Sequence, residues 1–368
     1  MHKKHLDFIK PKQGQFARNE VAIYGTTCEH VQQIVLTLRE SLADFNIATA
    51  DADHHDHGEK HEINLQQLGN QLVFTTALPL NSIQRNMACS QADIVLVNGN
   101  HFQADTQIVV CNKKKETSLR KRADQLSNVL AILLEEGESE IPGYVREVVK
   151  NWKQCAVFNY DQAEELTTLI RKNLLQAPAL KALIMAGGKS IRMGEDKSQI
   201  THHTLPQHLH LKEIFNAIGI DSFISCRDEQ SAFFKSEGHS VIADRMVDCG
   251  PLGGLVSAYM CDPNCAWLVV ACDVPMLDEE VIQELVAERN HSMMATAFIS
   301  PFDGLPEPLI AVWEPKAYQQ IMQFFAQGYS CPRKVLINSN VKLIECRAPH
   351  KLQNVNTKEE LNMLRSIQ

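Results

Sequence analysis

The chain has no apolar run near the ~20 residues a helix needs to cross a bilayer, so a membrane-spanning protein is not expected. Its first residues, MHKKHLDFIKPKQ, are basic but hold no apolar core, which argues against a secretory leader. An excess of positive charge is also lacking. Lys and Arg number 36 against 44 Asp and Glu, a formal net charge of -8, so a broad nucleic-acid surface is not expected. CxxC pairs are missing. The 11 cysteines are odd in number and irregularly spaced, and the nearest two, Cys261 and Cys265, stand at the wrong spacing for a zinc knuckle. Reduced thiols and a cytoplasmic location are the expectation. Gly194-Glu-Asp-Lys197 lacks the GxxxxGK[ST] spacing, which sets aside a P-loop ATPase.

What is present describes an ordinary globular protein. Of the 368 residues, 44% are hydrophobic and 22% charged, enough for two domains with separate cores. The first ~16 residues read as a loose arm rich in Lys and Gln. Glu20–Tyr24 reads as a strand, and Gly25-Thr-Thr-Cys turns into a helix with Val31, Ile34, Val35, Leu38 and Leu42 on one face. Ile47–Ala50 then completes a strand–helix–strand opening. Gln71–Phe74, Ala92–Val97 and Gln107–Cys111 read as strands, and about Leu119 to Leu134 as an amphipathic helix. Cys155–Phe158 and Gln162–Leu175 give a last strand and helix, and Gln176-Ala-Pro-Ala marks a linker. The expected division is an arm over 1–16, an α/β domain over 17–176, a join at 177–180 and a second domain over 181–368.

Two clusters in the first half leave alternatives open. Asp53–His61 carries four imidazoles and three carboxylates, which suits either a polar loop or a zinc or nickel site. Lys113-Lys-Lys and Arg120-Lys-Arg122 suit a solvated face or an anion or partner patch.

The second half is organised around ALIMAGGKSIRMGEDK, Ala182–Lys197. A buried strand over Leu183–Ala186 meets paired glycines, Gly187 and Gly188, which let the backbone turn and present its amides to an anion. Arg192 and Lys197 add a fork of donors and a point charge suited to a polyphosphate. A helix follows over Gln207–Ile218, then strands at Ser222–Ser225 and His239–Ala243, the second ending at Asp244. Cys249-Gly-Pro-Leu-Gly-Gly254 opens a helix. Trp267-Leu-Val-Val-Ala-Cys272 reads as a strand that delivers Asp273 to its carboxyl end, where ligands collect in open parallel sheets. Asp273 suits Mg²⁺, which takes a few carboxylates with phosphate and water, or a cap for the helix after Asp278. Ala295–Ser300 and Pro306–Trp313 are further strands. Thr357 with Glu360 makes a capping box.

The pattern AGGxSxRMGxDK resembles the signature loop of the molybdenum cofactor guanylyltransferases, a branch of the nucleotidyltransferase fold. Asp244 with GPLGG, Asp273 after its strand, the EPL strand at Glu307-Pro-Leu309 and the NxNTxEDL-like end at Asn354–Leu361 follow in the family's order. The resemblance implies a Rossmann-like, three-layer α/β/α nucleotidyltransferase sheet in the C-terminal half. It further implies Mg²⁺-dependent transfer of GMP from GTP to the phosphate of molybdopterin. Ala186, Gly187, Gly188, Arg192 and Lys197 would hold the triphosphate, and Asp273 the metal. Asp244 would read the N1–H and 2-amino edge of guanine, with Asp248 as the competing carboxylate. Gly250, Gly253 and Gly254 would admit the base, and Asn354 and Asn356 would face the second substrate. Where the family usually offers an asparagine, this chain has Cys226-Arg227, and Arg227 suits a phosphate or a surface salt bridge equally.

The first half is similar in element order to the small P-loop protein that accompanies the guanylyltransferase. Its phosphate loop is degenerate, since Glu29-His30-Val31 stands where Gly-Lys-Thr is needed, and the domain is expected to be a silent partner or docking module. An acceptor molybdoenzyme or an upstream cofactor-synthesis protein is the implied partner. Two other functions remain open: a cytidylyl or sugar-phosphate nucleotidyltransferase, and a non-catalytic module that delivers cofactor.

Overall fold

The computed structural model describes residues 8–52, 63–68, 71–76, 80–135, 137–187, 205–246, 249–355 and 360. It divides into two compact units, Gln13–Gln176 and Ala177–Gln368, the latter including Met1–Lys12. Both are α/β.

The first unit runs β1 (Glu20–Tyr24), α1 (Cys28–Ser41), β2 (Ile47–Ala50), β3 (Ile63–Leu68), β4 (Gln71–Thr76), α2 (Ser82–Ala88), β5 (Ile94–Asn98), β6 (Gln107–Cys111), α3 (Glu116–Arg120), β7 (Val129–Leu134), α4 (Gly143–Val148), β8 (Ala156–Asn159) and α5 (Ala163–Leu174). A parallel sheet has the order β2-β5-β1-β6-β7-β8, while β3 and β4 form a separate antiparallel hairpin. The opening strand–helix–strand unit therefore crosses over β5 before β2 is laid down. Buried apolar clusters cover both sheet faces, which is why β1, β5 and β6 are buried at every position.

Two sequence expectations fail here. The helix expected over 119–134 stops at Arg120, and Val129–Leu134 is instead β7, paired parallel with β6 and β8. VLAILL is a continuous apolar run, and burial on both faces of a parallel sheet overrides a helical pattern. The arm expected over 1–16 is also not loose throughout. Glu20, 2% exposed, draws the backbone N–H groups of Gln15 and Phe16 onto its carboxylate at 3.0 and 2.7 Å, and Phe16 enters the core. Further back, Lys12 N donates to Asn264 Oδ1 at 2.6 Å in the second unit's own body.

The second unit runs β9 (Leu180–Met185), α6 (Gln207–Ala217), β10 (Ser222–Cys226), α7 (Asp228–Ser236), β11 (Val241–Ala243), α8 (Gly250–Cys261), β12 (Ala266–Ala271), α9 (Glu279–Ala287), β13 (Ala295–Ile299), β14 (Pro306–Trp313), α10 (Ala317–Ala326), α11 (Pro332–Ile337) and β15 (Val341–Ile344). The sheet order is β11-β10-β9-β12-β14-β13-β15, with β14 antiparallel to both neighbours. Along β12, Trp267 and Val269 join one core while Ala266, Leu268 and Val270 join the other, the period of two that a doubly covered sheet requires. This is the α/β/α arrangement expected. Arg289 lies beyond α9 and holds Glu314, 1% exposed, through two bonds of 2.6 and 2.9 Å, and Tyr259 donates to the Glu314 carbonyl.

Candidate active site

Register brings the candidate residues to one edge. Met185 on β9 lies beside Ser225 on β10 and Ala271 on β12, and Cys226 lies beside Ala243 on β11. Just past this row, at the carboxyl ends of four neighbouring parallel strands, stand Gly187, Arg227, Asp244 and Asp273. Backbone bonds carry the ladder one step beyond the strands: Ala186 N to Ser225 O at 2.8 Å, Asp244 N to Cys226 O at 2.8 Å and Cys272 N to Met185 O at 3.4 Å.

Asp244 is the best-defined group. Ser225 Oγ donates to its Oδ1 at 3.0 Å, and burial holds its carboxyl above the ordinary carboxylate range against the opposing pull of Ser225 and the Arg227 charge. Two glycines make the room. A Cβ on Gly187 would lie 3.3 Å from Asp244 Oδ2, and one on Gly254 would lie 2.5 Å from Ser225 Oγ and 3.3 Å from Asp244 Oδ1. The strand turn, the Asp244 strand end and the start of α8 thus meet around one carboxylate. Ser225 was not singled out by sequence. Its signal was its place, the penultimate residue of a strand that ends at the ligand edge.

The other glycines of the GPLGG turn differ in role. Gly250 has φ +58, a left-handed conformation that favours glycine. Gly253 faces its own loop, because a Cβ there would come 2.9 Å from Met246 O. Its bareness serves packing of α8 against residues 244–246. Ser257 Oγ ties the same loop down, accepting from Arg245 N at 2.8 Å and donating to Gly253 O at 2.7 Å. Ala186 is 4% exposed and its N–H is used within the sheet, so it contributes as a core residue.

Cys226 is fully buried and its thiol is pushed up to about 12 by burial, so it does not replace the family's asparagine as a polar contact. Of the two readings of Arg227, the salt bridge is the one seen: its Nη1 meets Glu229 Oε1 at 2.6 Å.

Asp273 is half-buried in the turn after β12, with the buried Pro275 two residues on. The helix-cap role open to it from sequence belongs to Asp278, whose Oδ1 accepts from Val281 N at 3.2 Å. Lys351 Nζ also pairs with Asp278. The Asp273 carbonyl accepts from Val355 N at 2.7 Å, which brings the exposed Asn354 next to this turn. Gln207, at the start of α6 and fully buried, donates to Val274 O at 3.1 Å from the other side. Gly188, Arg192, Lys197, Asp248, Asn356 and Thr357 lie outside the described residues, as does the His-rich segment 53–61.

The corresponding turn of the first unit is built differently. Gly25 has φ +82 and a Cβ there would strike Val110 O at 2.4 Å. Thr27 caps α1 by accepting from His30 N at 3.3 Å, Thr26 Oγ1 lies 3.1 Å from His30 Nδ1, and Cys28 Sγ lies 3.4 Å from His101 Nε2. The Thr27 hydroxyl thus takes one of the helix-start amides that a P-loop would offer to phosphate.

The sheet order, the glycine turn and the aspartates at neighbouring strand ends define a nucleotidyltransferase-like Rossmannoid domain, and residues 182–342 match the MobA-like NTP transferase domain. That domain is homologous to those of the molybdenum cofactor guanylyltransferases and of bifunctional molybdenum cofactor proteins. A molybdenum cofactor guanylyltransferase from Pseudomonas putida is 29% identical over 192 residues, 50% of this chain and 96% of that protein. A molybdenum cofactor biosynthesis bifunctional protein from Synechocystis is 28% identical over 203 residues, 54% of this chain; the match spans only 58% of that protein's length. Among solved structures, molybdopterin-guanine dinucleotide biosynthesis protein A from Archaeoglobus fulgidus matches with 21% identity and a TM-score of 0.43, over 51% of this chain and 97% of its own. No helix among the described residues is long and apolar enough to cross a membrane.

Proposed function

We propose that the C-terminal domain transfers GMP from GTP to the terminal phosphate of molybdopterin in the cytoplasm. A phosphate oxygen of molybdopterin attacks the α-phosphorus of GTP in line. A new P–O–P link forms, the bond to the β-phosphate breaks, and pyrophosphate leaves with that electron pair. The observation that carries this reading is the meeting of Gly187, Asp244 and the Asp273 turn at one strand edge, in a domain of MobA type.

The nucleophile is already an anion, so the protein's part is positioning and charge neutralisation. Backbone amides around Gly187 and Gly188, with Arg192 and Lys197, hold the triphosphate. Asp244 accepts from the guanine N1–H and 2-amino group through its two carboxylate oxygens, Oδ1 being held in place by Ser225. The donor set at Asp273, one hard half-buried carboxylate in the turn after β12, fits Mg²⁺ with phosphate oxygens and water completing its shell. Bound there, the ion would neutralise phosphate charge. Asn354 and Asn356 are the residues assigned to contact molybdopterin. The first domain, where the Thr27 hydroxyl caps α1 and the P-loop lysine is missing, serves as a silent partner or as a docking module for an upstream cofactor-synthesis protein or an acceptor molybdoenzyme.

Pyrophosphate release measured with molybdopterin and each of GTP, CTP, ATP and UTP tests the assignment. Release with GTP at least tenfold above the others supports it. Preference for CTP assigns a cytidylyl enzyme instead, and release with none leaves a delivery module.

A further inference from the structure

His208, Glu237 and His239 form a three-residue cluster that includes neither Asp244 nor Asp273, with one ligand-capable atom of each lying within 4.8 Å of the others. They come from three places in the fold: the first turn of α6, the C-cap of α7 and the approach to β11. Both histidines aim Nε2 at the same oxygen, Glu237 Oε2, His208 at 3.1 Å and His239 at 3.7 Å. The two imidazoles are 0% and 2% exposed at the side chain, while the carboxylate is 31% exposed and opens the cluster to solvent. His239 Nε2 is buried and, among the described residues, makes no hydrogen bond. Such an orphan is costly unless something else takes its lone pair or proton.

We infer that His208, Glu237 and His239 form a binding site for one borderline transition ion of the zinc class. Imidazole and carboxylate suit Zn²⁺, Co²⁺ or Ni²⁺, whereas Mg²⁺ prefers oxygen alone. Ligands about 2.0–2.2 Å from a tetrahedral ion stand roughly 3.3–3.6 Å apart, against nitrogen–oxygen distances here of 3.1 and 3.7 Å and a spread of all three ligand atoms within 4.8 Å. Small side-chain movement therefore closes the site. Three protein ligands leave the fourth position to water through the exposed side of Glu237. Phe234 lies edge-on to both rings, at 5.3 and 6.1 Å between centroids, giving the imidazoles an apolar wall. An ion here would tie α6 to the α7–β11 turn. The adjacent Gln207 already bonds to Val274 O, so the tie would hold the helix that follows the signature loop.

The test uses the full chain with His54, His55, His57 and His61 changed to Gln, which removes the competing His-rich segment. Titration with Co²⁺ alone should give one equivalent and the visible d–d bands of a low-coordinate site. Glu237→Gln, at a partly exposed position, should weaken binding at least about tenfold, and His239→Gln should abolish the bands. Zn²⁺ should raise the melting temperature of the parent and not that of Glu237→Gln. Equal Co²⁺ binding by parent and both variants, or no bands in the parent, would overturn the site.

Discussion

Gly254→Ala probes the carboxylate seat most sharply. The new methyl would lie 2.5 Å from Ser225 Oγ and 2.9 Å from Met185 Cε, where ordinary contact needs more than about 3.4 Å. Ser225 is 2% exposed, so its hydroxyl yields mainly by turning away from Asp244. Overpacking costs about 1–3 kcal/mol, and loss of a hydrogen bond to a charged group about 1.5–3 kcal/mol. Alanine in place of glycine within a helix returns about 0.5–1 kcal/mol. The expected net loss is about 2–5 kcal/mol, read by urea denaturation of the C-terminal domain. GTP KM should rise about tenfold. Adding Ser225→Ala removes the struck atom and should recover about 1 kcal/mol of stability while leaving KM high, because Asp244 still lacks its donor. Gly253→Ala meets the Met246 carbonyl instead, and Ser225→Ala should not relieve it. A Gly254→Ala protein with wild-type stability and KM, or a double variant less stable than Gly254→Ala alone, would refute the seat.

Other outcomes follow from the same geometry. Asp273→Ala should lower turnover by at least about 100-fold, whereas Asp278→Ala should cost about 1 kcal/mol of stability through its lost cap and leave Mg²⁺ dependence unchanged; steady-state kinetics and thermal melts separate the two. Glu314→Ala leaves the half-buried Arg289 with Pro178 O but without its carboxylate and should destabilise the domain by about 3 kcal/mol in denaturant titration. Asp244, with a folded pKa raised above its ordinary 3.8, binds its proton more tightly folded than unfolded. Its contribution to stability therefore falls as pH rises through the window above 3.8 and stays unfavourable beyond it. Asp244→Asn should be at least as stable as wild type at pH 7, lose that advantage below pH 4, and lose guanine preference; melting curves against pH and a nucleotide panel check both.

Much of this edge was legible because parallel strands announce themselves as apolar runs and their ends as polarity breaks. Met185 to Gly187 and Ala271 to Asp273 are such breaks, and register then made neighbours of positions about 86 residues apart, since β9 and β12 pair in parallel. The Ser225–Asp244 bond was not legible, because a serine ending a strand carries no mark of what it faces. Gly253 and Gly254 read alike in sequence, yet one faces its own loop and the other the carboxylate. Val129–Leu134 misled for the opposite reason: an apolar run with no period suits a buried strand as well as a helix, and only its neighbours decide. Glu20 shows the same limit, a charged residue that organises the preceding segment from inside the core.

A crystal structure of the chain soaked with GTP and Mg²⁺ tests the account most directly. It should show one nucleotide along the ends of β9, β10, β11 and β12, with phosphates against the turn at Gly187, the base edge on Asp244 and the ion on Asp273. A nucleotide bound at the Gly25 turn, or a base turned away from Asp244 with Asp273 remote from every phosphate, would contradict it.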